Sequence, residues 1–422
     1  MPLIQSLALT FTIPPQAEAL QRLCAPLRLA GALRQLALVL YGRAASAVPG
    51  RFPALGRLTQ LRSLQLSCVA LAVPSESWVA ALAPPTRLTR LGLQFGDDGS
   101  MSYEEGEPVP AFPWEDAVCG LVNLRELRVV SDLNDSPCCT GMFRGCLPAA
   151  LSQLTALRQF EVLGAAEWGA GGAAGLQLAA LPVLERAALR LQQPSETGQL
   201  PTLRRGQRVE LCRLVSLSLA LRVEEEDHHG DMHLPSIAAP ALTELILDDI
   251  QLAFDSEQLL WLSGLPKLRR LVLANLRIGS RQLPEGARAC SGLTELVLQR
   301  MQVSCHSSEM SDYDSGNYDR RYLRTLSDGP YLSRLTCLSL LGNAFSAVPP
   351  ALVAATALKL LDMSYQDLPR VNVRNYYRYG IIPECDSDPP RVQGLRSLDD
   401  LTRLRCVNLY GFEKDDSGIR QF

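Results

Sequence analysis

Two histidines in this sequence have the spacing of metal ligands. His229 and His233 form a His-x-x-x-His pair, which binds zinc when both side chains lie on one face of a helix. Gly230 lies between them and four acidic residues precede them, so the favoured interpretation is a solvated charged loop. No metal site is therefore predicted from this group, which comprises His228, His229, Asp231 and His233.

Cysteines form the second candidate group. The chain has 12 cysteines but no Cys-x-x-C pair. Most are expected to be free thiols, as in a reducing compartment. A zinc or redox role stays open as the alternative for one cluster, Cys138, Cys139 and Cys146.

Motifs of the common enzyme classes are missing from the sequence. None of the three lysines follows a glycine, which excludes the phosphate-binding Walker A loop. The His-Glu-x-x-His motif of metalloproteases and the Gly-x-Ser-x-Gly motif of hydrolases are also missing. The sequence therefore predicts no catalytic residue, no cofactor and no enzymatic activity.

Charge and hydropathy argue against two classes of partner. The formal net charge is −3, which gives no overall attraction to nucleic acid or to an anionic membrane. No stretch approaches the roughly 18 consecutive apolar residues of a membrane helix, and no secretory signal is recognisable. We expect a soluble cytoplasmic protein without nucleic-acid or membrane partners; association with the cytoskeleton or a cilium, or a nuclear location, are alternatives.

Leucine spacing reveals the elements that would position any site. Leucine makes up 77 of the 422 residues, and the hexad Leu-x-x-Leu-x-Leu recurs along nearly the whole chain. Side chains alternate along a strand, so the fourth and sixth hexad residues share one face, and each short strand needs neighbours to bury them. The hexads begin at Ile4, Leu33, Leu61, Leu88, Leu124, Leu157, Leu184, Leu214, Leu242, Leu268, Leu293, Leu335, Leu358 and Leu404.

This pattern resembles the leucine-rich repeat superfamily, in a divergent and irregular form. The segment that starts at Leu335 is close to the full family pattern, with Asn343 three residues past the hexad, where the family's asparagine satisfies backbone groups at a turn. Elsewhere that position is occupied by other residues, including Ile250, Met301 and Gln366. The resemblance implies an α/β solenoid with a curved parallel sheet on the concave face and helical or 3₁₀ turns on the convex side.

Domain organisation follows from the same spacing. The sequence predicts a single solenoid of about 14 repeats over residues 1–422, with its last strand ending at Leu409. Four longer intervals between hexads and one polar segment are interpreted as loop insertions on the convex side. These lie near residues 95–114, 131–147, 222–240, 303–332 and 366–397.

Two of the insertions combine tyrosine with arginine, the side chains that dominate interface hot spots. One hypothesis is that they form a docking lobe; the alternative is a pair of mobile loops. The residues concerned are Tyr313, Tyr318, Arg320, Arg321, Tyr322 and Arg324 in the first loop, and Arg370, Arg374, Tyr376, Tyr377, Arg378 and Tyr379 in the second.

The strand residues that point away from the core are the predicted partner-binding residues. They lie at the third and fifth positions of each hexad and at the residue directly after it, which we call the seventh hexad position. Two zones stand out along the sheet. One is a mixed-charge patch, and next to it lies an apolar row bordered by charge, as at an interface core. The patch comprises Arg128, Glu161, Arg186 and Arg190; the row comprises Ile246, Val272 and Val297, with Glu244, Arg270 and Glu295 at its border.

The function predicted from these features is a non-catalytic scaffold that binds a partner protein on the concave face. The alternative is a regulatory adaptor that acts through an enzyme, either as a substrate receptor of a ubiquitin ligase or as a GTPase regulator. A GTPase regulator would use an exposed arginine such as Arg128 or Arg270.

Overall fold

The computed structural model describes twenty stretches of the chain, and structural statements below refer to these alone. They are residues 4–12, 32–41, 55, 58–69, 82, 87–96, 114–118, 120–131, 149–167, 178–192, 208–222, 236–250, 256–278, 282–303, 321–345, 347–364, 366, 398, 401–409 and 419–421.

Two compact units make up the chain. The first consists of Met1–Thr202 and Leu217–His228, and the second of Leu203–Ser216 and His229–Phe422. The predicted organisation as a single solenoid of about 14 repeats stays a prediction.

Every hexad forms one β-strand, and each strand begins at the third hexad residue. Consecutive hexads pair in parallel within each unit, which confirms the predicted α/β fold with a parallel sheet. The first unit holds β1 (Ser6–Thr12), β2 (Gln35–Tyr41), β3 (Ser63–Val69), β4 (Arg90–Gly96), β5 (Glu126–Ser131), β6 (Gln159–Glu167), β7 (Arg186–Gln192) and most of β9 (Ser216–Arg222). The second holds β11 (Glu244–Asp248), β12 (Arg270–Ala274), β14 (Glu295–Gln299), β17 (Cys337–Ser339), β18 (Leu360–Asp362) and β19 (Cys406–Asn408).

Leucines at the fourth and sixth hexad positions form the core, as the alternation predicts. Leu245 and Leu247 are fully buried while their neighbour Ile246 is half-buried on the other face. The weaker hexads follow the same rule, since Phe160 and Ala187 replace leucine and are buried. Burying each large side chain stabilises the fold by roughly 1.5–3 kcal/mol.

Short helices precede several strands and close the core from the other side. Leu259 and Leu262 of one of them are buried, in agreement with the predicted helical or 3₁₀ turns. Among the described residues, α-helices span Trp114–Val118 and Glu285–Arg288, and 3₁₀ helices span Ala149–Gln153, Ser256–Gly264, Pro330–Arg334 and Pro350–Ala354.

Six further strands were not expected from the sequence, and two of them lie within predicted insertions. β10 (Ser236–Ala238) lies in the predicted insertion 222–240 and pairs in parallel with β8 (Arg208–Glu210). β16 (Arg321–Tyr322) lies in the insertion 303–332 and runs antiparallel to β15 (Gln302–Val303), which in turn pairs with β13 (Arg277–Ile278).

Ordered core continues after β16 and shortens that insertion. Leu323 and Tyr331 are fully buried, and the Tyr331 hydroxyl donates a hydrogen bond to the Ser327 carbonyl at 2.7 Å. Beyond Leu409, where the sequence predicted the last strand to end, β20 (Ile419–Gln421) adds an antiparallel strand to β19. The insertions 95–114, 131–147 and 366–397 lie outside the described residues, except for residues 95, 96, 114, 131 and 366 at their ends.

A repeated backbone turn follows four strands of the second unit. Asp249, Asn275, Arg300 and Gly342, each two residues past a hexad, have positive φ of 52°, 52°, 47° and 66°. In this conformation the N–H of each donates to a carbonyl of the next repeat, for example Asn275 N to the Gln299 oxygen at 2.8 Å. The turn therefore links neighbouring repeats, and glycine, aspartate and asparagine, which occupy three of the four positions, are the residues that tolerate such φ values best.

Candidate protein-binding face

Three neighbouring strands of the second unit present the apolar row that the sequence predicts. In the register of β11, β12 and β14, Ile246 lies opposite Val272, and Val272 lies opposite Val297. All three side chains are half-buried and alternate with fully buried leucines. Because neighbouring strands lie about 4.8 Å apart, the row is roughly 10 Å wide. We call the third, fifth and seventh hexad residues of these three strands the candidate face.

An ion-pair network borders the apolar row on one side. Arg270 lies between the two glutamates in the strand register: its Nε donates to Glu295 Oε1 at 2.8 Å and its Nη1 to Glu244 Oε1. The second oxygen of Glu244 accepts a hydrogen bond from the Ser216 hydroxyl at 2.7 Å. The guanidinium thus bridges two carboxylates, and all three charged side chains keep about a third or more of their surface exposed.

Proton affinities in this network follow from these contacts. The hydrogen bond from Ser216 and the neighbouring Arg270 hold the pKa of Glu244 below its ordinary value, although partial burial opposes them. The hydrogen bonds to Glu295 and Glu244 raise the pKa of Arg270. Glu244 and Arg270 are therefore ionised at neutral pH.

A further carboxylate lies on the other side of the apolar row. Asp248, at the seventh hexad position of β11, is half-buried, and its Oδ1 accepts a hydrogen bond from Asn275 Nδ2 at 2.7 Å. Ala274 and Gln299 occupy the equivalent places on β12 and β14. The seventh position was predicted to face outward, but Asp248 was not among the predicted binding residues, although its place relative to the hexad indicates the same face.

The predicted mixed-charge patch lies in the first unit. Arg128 and Glu161 face each other on β5 and β6 and form an ion pair of 3.0 Å. On β7, Arg186 is opposite Gln159 and Arg190 is opposite Leu163, and both arginines are exposed. The structure thus brings Arg128 and Glu161 together, whereas Arg186 and Arg190 pair in the strand register with other residues of β6.

A second ion pair in this unit was missed from the sequence. Arg90 Nε on β4 contacts Glu126 Oε1 on β5 at 3.1 Å. Opposite charges at the third position of consecutive hexads were the available signal, the same one that predicts the contact of Arg270 with its two neighbours.

Most of the other chemical candidates lie outside the described residues. These are His228, His229, Asp231 and His233, the cluster Cys138, Cys139 and Cys146, and the two tyrosine and arginine loops except Arg321, Tyr322 and Arg324. Within the described stretches, no group of three His, Cys, Asp or Glu side chains could hold a metal ion. None of the helices in those stretches has the length and hydrophobicity needed to cross a membrane.

The turn after β17 contains the feature that decides the fold. Asn343 is fully buried, and its Nδ2 donates to the carbonyls of Leu298 at 2.7 Å and Leu340 at 2.8 Å. Its Oδ1 accepts from the Met301 amide at 3.0 Å. One side chain thus joins the turns of two consecutive repeats, as the family pattern implies. The chain has the leucine-rich repeat fold.

Gln366 performs the same task one repeat further along. Its Nε2 donates to the carbonyls of Leu340 at 2.8 Å and Met363 at 3.1 Å, and its Oε1 accepts from the Phe345 amide at 2.9 Å. Glutamine has the same amide group as asparagine on a side chain one methylene longer. Glutamine at this position therefore keeps the two carbonyl bonds of the leucine-rich repeat turn, whereas its oxygen accepts from the Phe345 amide, two residues beyond the position equivalent to Met301.

Comparisons with known proteins give only distant structural similarity. No protein-family model matches the chain, and no curated protein matches it. Similar solved structures include an internalin from Listeria monocytogenes, with 13% identity, a TM-score of 0.45, and 94% of each chain covered. The leucine-rich repeat ectodomain of the Arabidopsis thaliana receptor kinase GASSHO1/SCHENGEN3 has 20% identity and a TM-score of 0.45, with 95% of this chain and 40% of that chain covered. A leucine-rich repeat protein of Leptospira interrogans has 16% identity and a TM-score of 0.45, with 90% and 79% covered.

Proposed function

We propose that this chain is a non-catalytic scaffold that binds a partner protein through the candidate face of β11, β12 and β14. The observation that supports this most directly is the row of Ile246, Val272 and Val297, three apolar side chains on the solvent side of the sheet. Leu245 and Leu247 already fill the core beneath this row, so folding does not require the outer side chains to be apolar. Apolar side chains in a row with a charged border are typical of an interface core.

The charged border supports specificity. Arg270 is held in one orientation by Glu244 and Glu295, so it loses little side-chain entropy when a partner binds. Prearranged charges of this kind select partners and orient them more than they add affinity.

A GTPase regulator is a weaker alternative. Such a regulator needs an arginine that can reach into the nucleotide site of its partner. The guanidinium of Arg128 is paired with Glu161, and that of Arg270 bridges two carboxylates. Either residue would have to break these ion pairs to act on a nucleotide.

The ligase-adaptor alternative predicts co-purification with ligase subunits.

A cytoplasmic location is part of the same proposal. Cys337 and Cys406 lie at the third hexad position of strands that are separated by β18, so their sulfur atoms are too far apart for a disulfide. Both are free and half-buried, as are thiols in a reducing compartment. Fractionation of cells that express the tagged full-length chain tests this location; recovery in a secreted or membrane fraction would overturn it.

The Val272→Arg substitution tests the binding face. Val272 points to solvent, so we expect the free energy of unfolding to change by less than about 1 kcal/mol, whereas the long charged side chain blocks the apolar row. The variant should lose the proteins that the wild-type chain captures from cytosol, identified by mass spectrometry. The matched control is Val353→Arg, since Val353 is 52% exposed on the 3₁₀ helix Pro350–Ala354, away from the sheet.

Two results would contradict the proposal. Capture by Val272→Arg that equals capture by Val353→Arg means that the partner binds elsewhere. Unfolding of Val272→Arg, with Val353→Arg still folded, means that Val272 belongs to the core.

A further inference from the structure

The charge of the candidate face determines what kind of partner segment it can accept. Carboxylates lie on both sides of the apolar row: Glu244 and Glu295 at the third hexad positions, and Asp248 at the seventh. One guanidinium, Arg270, opposes these three carboxylates, which leaves a formal charge of −2 on the face. The guanidinium already donates hydrogen bonds to two carboxylates, so it has few N–H groups left to bind an acidic partner.

Two other arginines lie beside the face. Arg300 follows Gln299, and its side chain extends along Gly342 in the turn of the next repeat. Arg269 lies at the second hexad position of the β12 repeat, and its Nη1 donates to the Gly292 carbonyl at 3.2 Å. That carbonyl belongs to the turn before Leu293, so the contact holds the Arg269 guanidinium at the edge of the sheet. The hydroxyls of the neighbouring Thr243 and Thr294 also bond to backbone carbonyls of the preceding repeats.

We propose that the candidate face binds a protein segment in which an apolar side chain is flanked by lysine or arginine on both sides. This inference rests on the proposed function and specifies its partner. Strand residues rise about 3.3 Å each, so Glu244 and Glu295 lie roughly 7 Å to one side of the apolar row and Asp248 lies roughly 7 Å to the other. An extended segment with basic residues two positions before and after an apolar residue has the same spacing. An acidic segment would place like charges beside Glu295 and Asp248, which disfavours binding.

A displayed library of random peptides provides the probe. Peptides of about twelve residues, long enough to span the face at about 3.3 Å per residue, are selected on the full-length wild-type chain. Each is then tested on Val272→Gln, which removes the central apolar side chain without adding charge. Peptides that lose binding to this variant use the candidate face, whereas peptides held by the arginines of the first unit do not depend on Val272.

Charge variants then separate the two parts of the proposal. Glu295→Gln with Asp248→Asn removes two charges but keeps an acceptor for Arg270 and for Asn275. We expect peptides that depend on Val272 to carry an excess of Lys and Arg, and to bind this double variant about 1.5- to 5-fold more weakly for each ion pair lost. Their affinity should also fall between about 0.1 M and about 1 M salt, as the Debye length shortens from about 10 Å to about 3 Å. Glu285→Gln, at an exposed glutamate on the helix Glu285–Arg288, is the matched control and should bind like wild type.

Each outcome decides a different claim. If the peptides that depend on Val272 have no basic excess, or bind the double variant as well as they bind Glu285→Gln, the basic-partner inference is wrong while the binding face stands. If no selected peptide depends on Val272, and Val272→Gln is folded, both the inference and the proposed function are wrong.

Discussion

Replacement of Asn343 by alanine should cost a large part of the stability of the second unit. The side chain is fully buried and makes three hydrogen bonds of 3.0 Å or less, two as donor and one as acceptor. Its removal leaves the Leu298 carbonyl and the Met301 amide without this partner in a closed turn, while the Leu340 carbonyl keeps its hydrogen bond from Gln366. Each unsatisfied buried group costs about 1–3 kcal/mol, and partial entry of water offsets some of this, so we expect a loss of about 3–5 kcal/mol.

Two further substitutions separate hydrogen bonding from packing. Asn343→Leu fills the space without replacing the hydrogen bonds, and Met301 shows that this fold buries an apolar side chain at the same position one repeat earlier. We therefore expect Asn343→Leu to recover only the packing share of the loss. Gln366→Ala removes the corresponding bonds at a half-buried position where water can replace them, and should cost about 1–2 kcal/mol.

The assay combines a global and a local measurement. Urea unfolding followed by circular dichroism gives the shift in midpoint, and hydrogen exchange of the peptide that contains Met301 reports on the bond from its amide to Asn343 Oδ1. The alanine variant should lower the midpoint and speed exchange at Met301. A leucine variant as stable as wild type, with Met301 exchange unchanged, would refute the view that Asn343 acts through hydrogen bonds.

Two further predictions concern titration and thiol reactivity. Glu244 has a lowered pKa in the folded chain, so its network contributes stability above the ordinary pKa of glutamate, and this contribution is lost as pH falls through the lowered folded value. The difference in unfolding midpoint between wild type and Glu244→Gln should therefore shrink between about pH 7 and about pH 3; a difference that is constant over this range would contradict the network. Burial raises the pKa of Cys68 to about 12 and that of Cys290 to about 11, whereas Cys212 is exposed. Iodoacetamide at neutral pH should therefore modify Cys212 in the native chain and the other two only after unfolding, as peptide mapping would show; native Cys68 reacting as fast as Cys212 would contradict its burial.

The strands were predictable from the sequence because one physical constraint determines them. A short strand that contains the leucines at the fourth and sixth hexad positions has a single way to bury both, so the hexad specifies where a strand starts and which residues face outward. Even Leu184-Ala187-Leu189, a weak hexad, forms β7 with all three side chains buried. The outward position of Val272 follows from the same alternation.

Contacts that depend on the conformation between hexads were not predictable. β16 pairs with β15, although 17 residues separate these two strands in the sequence. No periodicity of the sequence indicates this pairing. In the sequence Gln366 departs from the family pattern, because residue type alone does not show how far the side chain reaches. Its longer side chain still reaches the Leu340 carbonyl.

In this fold the buried hexad positions and the outward hexad positions can vary separately. Because buried leucines at the fourth and sixth positions determine the register, the fifth position is free to vary without cost to folding. In the first unit, consecutive strands β2, β3 and β4 have Ala37, Gln65 and Gly92 there, side chains that form no apolar row. The same backbone pairing in the second unit carries Ile246, Val272 and Val297. Since the fold accepts both sets, the apolar row and the carboxylates beside it are not a requirement of the repeat, which supports the proposed binding partner.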